Sequence, residues 1–124
     1  MVSIKSISII FLAFLMSACD SANNITVEKA YIRLIDENVI FLDVRTREEF
    51  MREGRIKNSV LIPLSKLKDS HNKIEKHINK EIIVYCRSGR RSEIATRYLN
   101  EHGFKAFSLV GGFLDWEKTL SQLN

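Results

Sequence analysis

Four short apolar runs set the terms on which this chain can fold. They are Val39-Ile40-Phe41-Leu42-Asp43-Val44, Val60-Leu61-Ile62, Ile82-Ile83-Val84-Tyr85 and Ala106-Phe107-Ser108-Leu109. Each is apolar without a break rather than in alternation, as expected of strands covered on both faces of a parallel sheet. Helix-like stretches lie between them. Thr26 can cap a helix to about Leu34, with Val27, Ala30, Tyr31 and Leu34 on one face. Thr46 and Glu49 have the spacing of a capping box, and Gly54 closes that short helix. Residues 66–78 read as one or two loose helical turns. Ser92 to His102 carries Ile94, Ala95, Tyr98 and Leu99 at helical spacing before Gly103. Gly111-Gly112 then breaks the chain ahead of a last helix bearing Phe113, Trp116 and Leu120. Strand–helix alternation predicts an open α/β fold with helices on both faces of the sheet, and ligands at the carboxyl ends of its strands.

The first residues follow another logic. Lys5 precedes the apolar run Ile7 to Met16, and Ser17, Ala18 and Cys19 follow it. A charged start, a short apolar core and a small-residue exit make a signal peptide; the run falls short of the roughly 20 residues a membrane span needs. An uncleaved anchor or a buried helix is the competing reading. Leu15-Met16-Ser17-Ala18-Cys19 resembles a bacterial lipobox, although Met16 stands where Leu is usual. The expected organisation is therefore a signal peptide over 1–18, a lipidated Cys19 with a small polar tether over 19–24, and one domain over 25–124. Asp20 after the cysteine resembles the retention signal that keeps lipoproteins at the inner membrane of enteric bacteria. The domain would then face the periplasm, held to the membrane by lipid.

The formal charge of +4 is scattered and forms no basic stripe with interleaved aromatics, so a nucleic-acid partner is not expected. His71, His77 and His102 lie in polar stretches without metal-ligand pairing; they read as surface residues, and no metal or organic cofactor is expected.

If Cys19 is acylated, Cys86 has no partner within the chain, and is either an inert buried thiol or a reactive one. Its surroundings favour reactivity. Cys86-Arg87-Ser88-Gly89-Arg90-Arg91-Ser92 runs from the end of a buried strand into a helix start, where unpaired N–H groups make an anion site. Gly89 permits a positive φ, which lets successive N–H groups converge. Arg87, Arg90 and Arg91 add positive potential and planar donors. Such a setting favours the thiolate, but lower basicity also weakens a nucleophile, so ionisation alone gives little net rate. Binding an anionic donor and holding a persulfide anion account better for so many positive groups.

Several motifs together resemble the rhodanese family across about residues 25–120: Phe41-Leu42-Asp43-Val44-Arg45, Glu48-Glu49-Phe50, Gly54-Arg55-Ile56 with Ile62-Pro63-Leu64, the Cys86 loop, and Gly111-Gly112-Phe113 with Trp116. Arg55 departs from the family, which usually has His there. The resemblance implies a parallel sheet of about five strands and a six-residue loop, Cys86 to Arg91, that carries sulfur. Cys86 would take sulfane sulfur from thiosulfate or a similar small anion as a persulfide, cradled by the loop, and pass it to cyanide or a thiol. It further implies that Arg87 and Arg91 assist electrostatically, and that Asp43 and Arg45 brace the loop by ion pairing. Trp116 and Phe113 read as core or cleft wall.

Two other functions compete. A cysteine phosphatase needs five residues between Cys and Arg, whereas Arg91 follows Cys86 after four and Ser92 takes the phosphatase position. A membrane-tethered persulfide or redox sensor, or a sulfur-carrier binding module, would use the same loop without turnover, and the residues leave it open.

Overall fold

The computed structural model describes residues 23–124. Its elements, in chain order, are β1 (Asn24–Ile25), α1 (Val27–Ile32), β2 (Val39–Asp43), α2 (Arg47–Arg52), β3 (Val60–Leu61), α3 (His71–Glu75), β4 (Glu81–Tyr85), α4 (Arg90–Glu101), β5 (Lys105–Leu109) and α5 (Gly112–Leu123). The five strands form one sheet in the order β1-β5-β4-β2-β3, and every pairing is parallel. The central pair sets Asp43 opposite Tyr85, so β2 and β4 end level, with Cys86 immediately beyond.

The unbroken apolar runs are explained by what covers the sheet. Phe41, Ile83 and Tyr85 pack with Val27 and Ala30 of α1 and with Phe113 and Trp116 of α5. Their neighbours Leu42, Ile82, Val84 and Ala106 pack the other way, against Ile74 of α3 and Ala95 and Leu99 of α4. Successive strand residues point to opposite faces, so a strand buried on both sides has no polar phase. The sheet of five parallel strands with helices on both faces is the one expected.

The short helices follow their caps. Thr46 Oγ1 accepts from Glu49 N (3.2 Å) while Glu49 Oε1 accepts from Thr46 N (3.0 Å), the complete capping box of α2. Gly54 then takes a φ of +86°, which ends the helix. Helical spacing to Leu34 is split between α1 and a 3₁₀ turn, Arg33–Ile35. The loose region 66–78 is also partly 3₁₀, over Lys68–Ser70, before α3.

Two sequence expectations are corrected. The tether was read to Asn24, but Asn24 and Ile25 pair with Ser108 and Leu109 as an edge strand. Two polar-flanked residues carry no periodic pattern, and only the partner strand makes them a strand. His71 is half-buried rather than at the surface, with its ring 5.7 Å from Tyr98 and its Nδ1 3.0 Å from the Tyr98 hydroxyl. Burial likewise pushes the half-buried His77 down from the usual imidazole pKa, with Lys80 and Lys76 adding to it. The signal and lipobox residues, Cys19 included, lie outside the described part of the chain.

At the carboxyl end of β2 a charged pair is buried outright. Asp43 and Arg45 are each 0% exposed. Arg45 Nε and Nη2 donate to the Asp43 carboxylate at 3.0 and 2.7 Å, and Nη2 also donates to Gly54 O at 2.6 Å. The guanidinium lies 4.5 Å from the Phe113 ring centre, so the pair ties β2 to the α2 exit and to α5. Asp43→Ala would strand a cation in the core. Arg45→Met would strand the Asp43 carboxylate in the same way. The expected cost of either is about 3–5 kcal/mol, read as a lower urea midpoint, with an apolar replacement of both residues costing less than either single change.

Candidate active site

Cys86 stands where β4 stops, and its sulfur is the point on which the following loop closes. Gly89 N and Ser92 N lie 3.1 and 3.4 Å from Cys86 Sγ, both donating to it. Gly89 is at φ +112°, a conformation that turns its N–H back over the sulfur, and it also caps α4. The helix begins at Arg90, two residues ahead of the start read from apolar spacing. Its first N–H groups are those left without a partner within the helix, and Ser92 spends one of them on sulfur. Cys86 itself is 1% exposed.

The backbone of the loop is held from the opposite side. Phe113 N donates to Cys86 O at 2.8 Å and Leu114 N to Arg87 O at 3.1 Å, so the first turn of α5 caps the two carbonyls that precede the sulfur-binding amides. Such an approach excludes a side chain at Gly112. A Cβ there would lie 2.6 Å from Arg87 O and 2.7 Å from Cys86 O, at a φ of +63°. The sequence reading takes Gly111-Gly112 as a chain break and as part of a family motif, without a structural role, and its larger use is this contact. Tyr85 secures the preceding strand, since Val44 N donates to its carbonyl (3.0 Å) and Ile56 N to its hydroxyl (3.1 Å).

The three loop arginines fare differently. Arg91 forms a two-pronged ion pair with Glu49, at 2.6 and 2.8 Å. Hydrogen bonding to Arg91 holds the Glu49 carboxyl well below its usual range, at about 2, with Thr46 contributing and partial burial opposing. Arg87, about half exposed, has its Nε 3.4 Å from Glu53, whose other oxygen is 3.6 Å from Arg45. Arg90 and Ser88 are exposed, and Arg90 makes no ion pair among the described residues. Glu49 and Glu53 are thus site residues that sequence reasoning did not assign. Glu49 stands out in the sequence as a capping residue and within the Glu48-Glu49-Phe50 motif but not as a partner of Arg91, because that pairing spans 42 positions. Arg55, at the family's usual histidine position, has its guanidinium 4.3 Å from the Phe50 ring centre.

Around the loop, Trp116 is core, with ring centres 5.9 Å from Phe41 and 6.0 Å from Tyr31. Among the described residues no group of three or more His, Cys, Asp and Glu side chains could hold a metal ion. The chemistry the arrangement offers is that of one buried thiol, two amides aimed at its sulfur and a rim of arginines.

Comparison with known proteins places this geometry. The family model for the rhodanese-like domain matches residues 26–119. A sulfurtransferase of Allochromatium vinosum is 33% identical over 98 residues, covering 77% of this chain and 89% of that protein. The thiosulfate sulfurtransferase GlpE of Coxiella burnetii is 33% identical over 81 residues, covering 64% of this chain and 73% of its own. The crystal structure of a rhodanese-related protein from Thermoplasma volcanium matches with a TM-score of 0.71 at 29% identity, covering 78% of this chain and 92% of that one.

The Glu49–Arg91 pair has a pH signature. A carboxyl with a depressed folded pKa contributes stability above its unfolded pKa, and that contribution is lost as pH falls through the folded value. Glu49 moves from 4.5 to about 2, so its share is present at neutral pH and is lost between about pH 5 and pH 2. Glu49→Gln is expected to be less stable at pH 7 and to show a flatter stability profile across that window, measured by denaturant melts at each pH.

Proposed function

Because this chain belongs to the rhodanese-like domain family, we propose that it is a sulfurtransferase, moving sulfane sulfur from thiosulfate or a similar donor to a thiol or cyanide through a persulfide on Cys86. The observation that carries this reading is the Cys86 sulfur receiving the N–H groups of Gly89 and Ser92 at a helix start. Donors fixed in that position stabilise a sulfur anion without reorganising, the general advantage of preorganised electrostatics.

The reaction has two displacements. In the first, the Cys86 thiolate attacks the outer sulfur of thiosulfate; a new S–S bond forms, the old one breaks, and sulfite leaves with the electron pair. In the second, the lone pair of cyanide or a thiolate attacks the terminal persulfide sulfur, and Cys86 departs as the thiolate. Such a covalent intermediate gives ping-pong kinetics. The exposed Arg90 and the half-exposed Arg87 supply positive charge for the incoming dianion and the departing sulfite. Arg91, tied to Glu49, acts from a fixed position at the helix start. The thiosulfate preference is supported by this arginine-rich rim and by the donor named for the Coxiella relative.

We further propose that the domain works in the periplasm, exported by residues 1–18 and acylated at Cys19, with Asp20 retaining it at the inner membrane. The support is the residue pattern alone. A globomycin-sensitive mass difference, absent in Cys19→Ser, is the expected result, and a mature chain starting at another residue would refute it.

The activity is tested by thiocyanate formation from thiosulfate and cyanide, using the chain from Asp20 onward beside its Cys86→Ser variant. Sustained turnover that the substitution reduces to background is expected. A single stoichiometric loading of sulfur with no turnover would replace the enzyme by a persulfide sensor.

A further inference from the structure

Two buried hydroxyls that the displacements above leave unused lie behind the sulfur. Ser92 Oγ is 3.7 Å from Cys86 Sγ, 2.9 Å from Gly89 O and 2.8 Å from Ser108 Oγ. The two serines are 0% and 2% exposed. A hydroxyl in the interior is costly unless it is hydrogen-bonded, and Ser108 occupies an inner strand position where an apolar side chain would otherwise pack.

A hydroxyl has one proton to give and two lone pairs to offer. Ser92 therefore cannot donate to Gly89 O and to sulfur at once. Beside a neutral thiol all contacts are satisfied, with Ser92 accepting from Cys86 S–H and from Ser108 O–H and donating to Gly89. When Cys86 is an anion the S–H is gone. Ser92 can then turn its O–H from the Gly89 carbonyl to the sulfur, making a charge-assisted bond beside the two amide donors. Ser108 goes on donating to Ser92 in both arrangements, which fixes the oxygen and polarises its O–H toward the sulfur.

Ser108 is free to donate because of its other surroundings. It lines a polar cleft of about 260 Å³ with Asn23, Asn24, Glu93, Thr96 and Arg97. Water in that cleft can satisfy the lone pairs of Ser108, leaving its proton for Ser92. The Thr96 hydroxyl also lacks a protein partner.

We propose that Ser108 is a positioning residue for sulfur transfer, holding Ser92 so that its O–H becomes a third donor to the Cys86 anion. The proposal rests on Cys86 as the nucleophile and adds a residue outside the loop. The charged groups on the elements packed around the loop are Arg87, Arg90, Arg91 and Glu93 on the loop and α4, Glu49 and Glu53 of α2 and its cap, Asp43 at the end of β2 with Arg45 just beyond it, and Asp115 of α5. A substitution at Ser108 alters none of them.

The test is the rate of Cys86 alkylation by iodoacetamide across pH in the full chain, with the label located by peptide mass spectrometry. Ser108→Ala is expected to move the alkylation profile to higher pH, with the plateau rate of the more basic thiolate equal to or above that of the parent. Ser108→Thr keeps the hydroxyl, so its profile should stay close to that of the parent. Ser92→Ala should shift the profile at least as far as Ser108→Ala, and Ser108→Cys, which keeps the bulk but is a weak donor, replaces Ser108→Ala if the latter does not fold. A merely structural serine would lower the melting temperature and leave the alkylation profile unchanged, and that result would overturn the proposal. Failure of the sulfurtransferase reading would be distinct, since the parent would then transfer no sulfur whatever the alkylation profiles show.

Discussion

The rest of the site depends on how closely α5 approaches the peptide of the nucleophile. Phe113 N and Leu114 N bond to the carbonyls of Cys86 and Arg87, while Gly89 N and Ser92 N bond to the Cys86 sulfur. One residue is thereby held through its carbonyl by one helix and through its side chain by the start of another. The contact requires a bare backbone at Gly112 and a left-handed turn at Gly89. The sheet supplies the remaining constraint, since β2 and β4 end in register and bring the Asp43–Arg45 pair level with the loop. Buried charge at that level is a specificity device more than a stabilising one: its removal is costly, whereas an apolar replacement is often neutral.

Charge at the site is graded rather than simply positive. Arg91 is committed to Glu49, Arg87 leans toward Glu53, and Arg90 stands free among the described residues. A cluster of three unpaired arginines would repel itself and loosen the loop. Pairing two of them to α2 turns the repulsion into a brace, so that the capping box of a short helix and the catalytic loop share Glu49. Sulfur transfer suits this economy, because the reacting group is a small anion and needs fixed dipoles more than a general base.

Much of the fold could be read in the sequence because burial on both faces leaves a plain mark. The runs at Phe41, Ile83 and Phe107 show no regular polar alternation, and each forms a strand of a parallel sheet. Thr46 with Glu49, and Gly54 and Gly103 after helices, were legible because capping acts over three or four residues. Contacts that join distant segments left no such mark. Nothing near Asn24 announces an edge strand, since its partner Ser108 lies across the sheet. Glu49 meets Arg91, and Ser92 meets Ser108, only once the chain has folded. Cys86, Arg87, Gly89, Arg91 and Ser92 were singled out together because they are contiguous. Glu53 and Ser108 do not stand out as site residues, and the role of Gly112 does not either, because each touches the loop from another element.

In the proposed reaction the Cys86 sulfur carries the transferred atom. Intact-mass analysis of the full chain after mixing with thiosulfate tests it most directly. A gain of one sulfur atom is expected, confined to the Cys86 peptide, removed by cyanide and absent in Cys86→Ser. An unchanged mass at Cys86 while thiocyanate is formed, or a sulfur that persists in the serine variant, would contradict it.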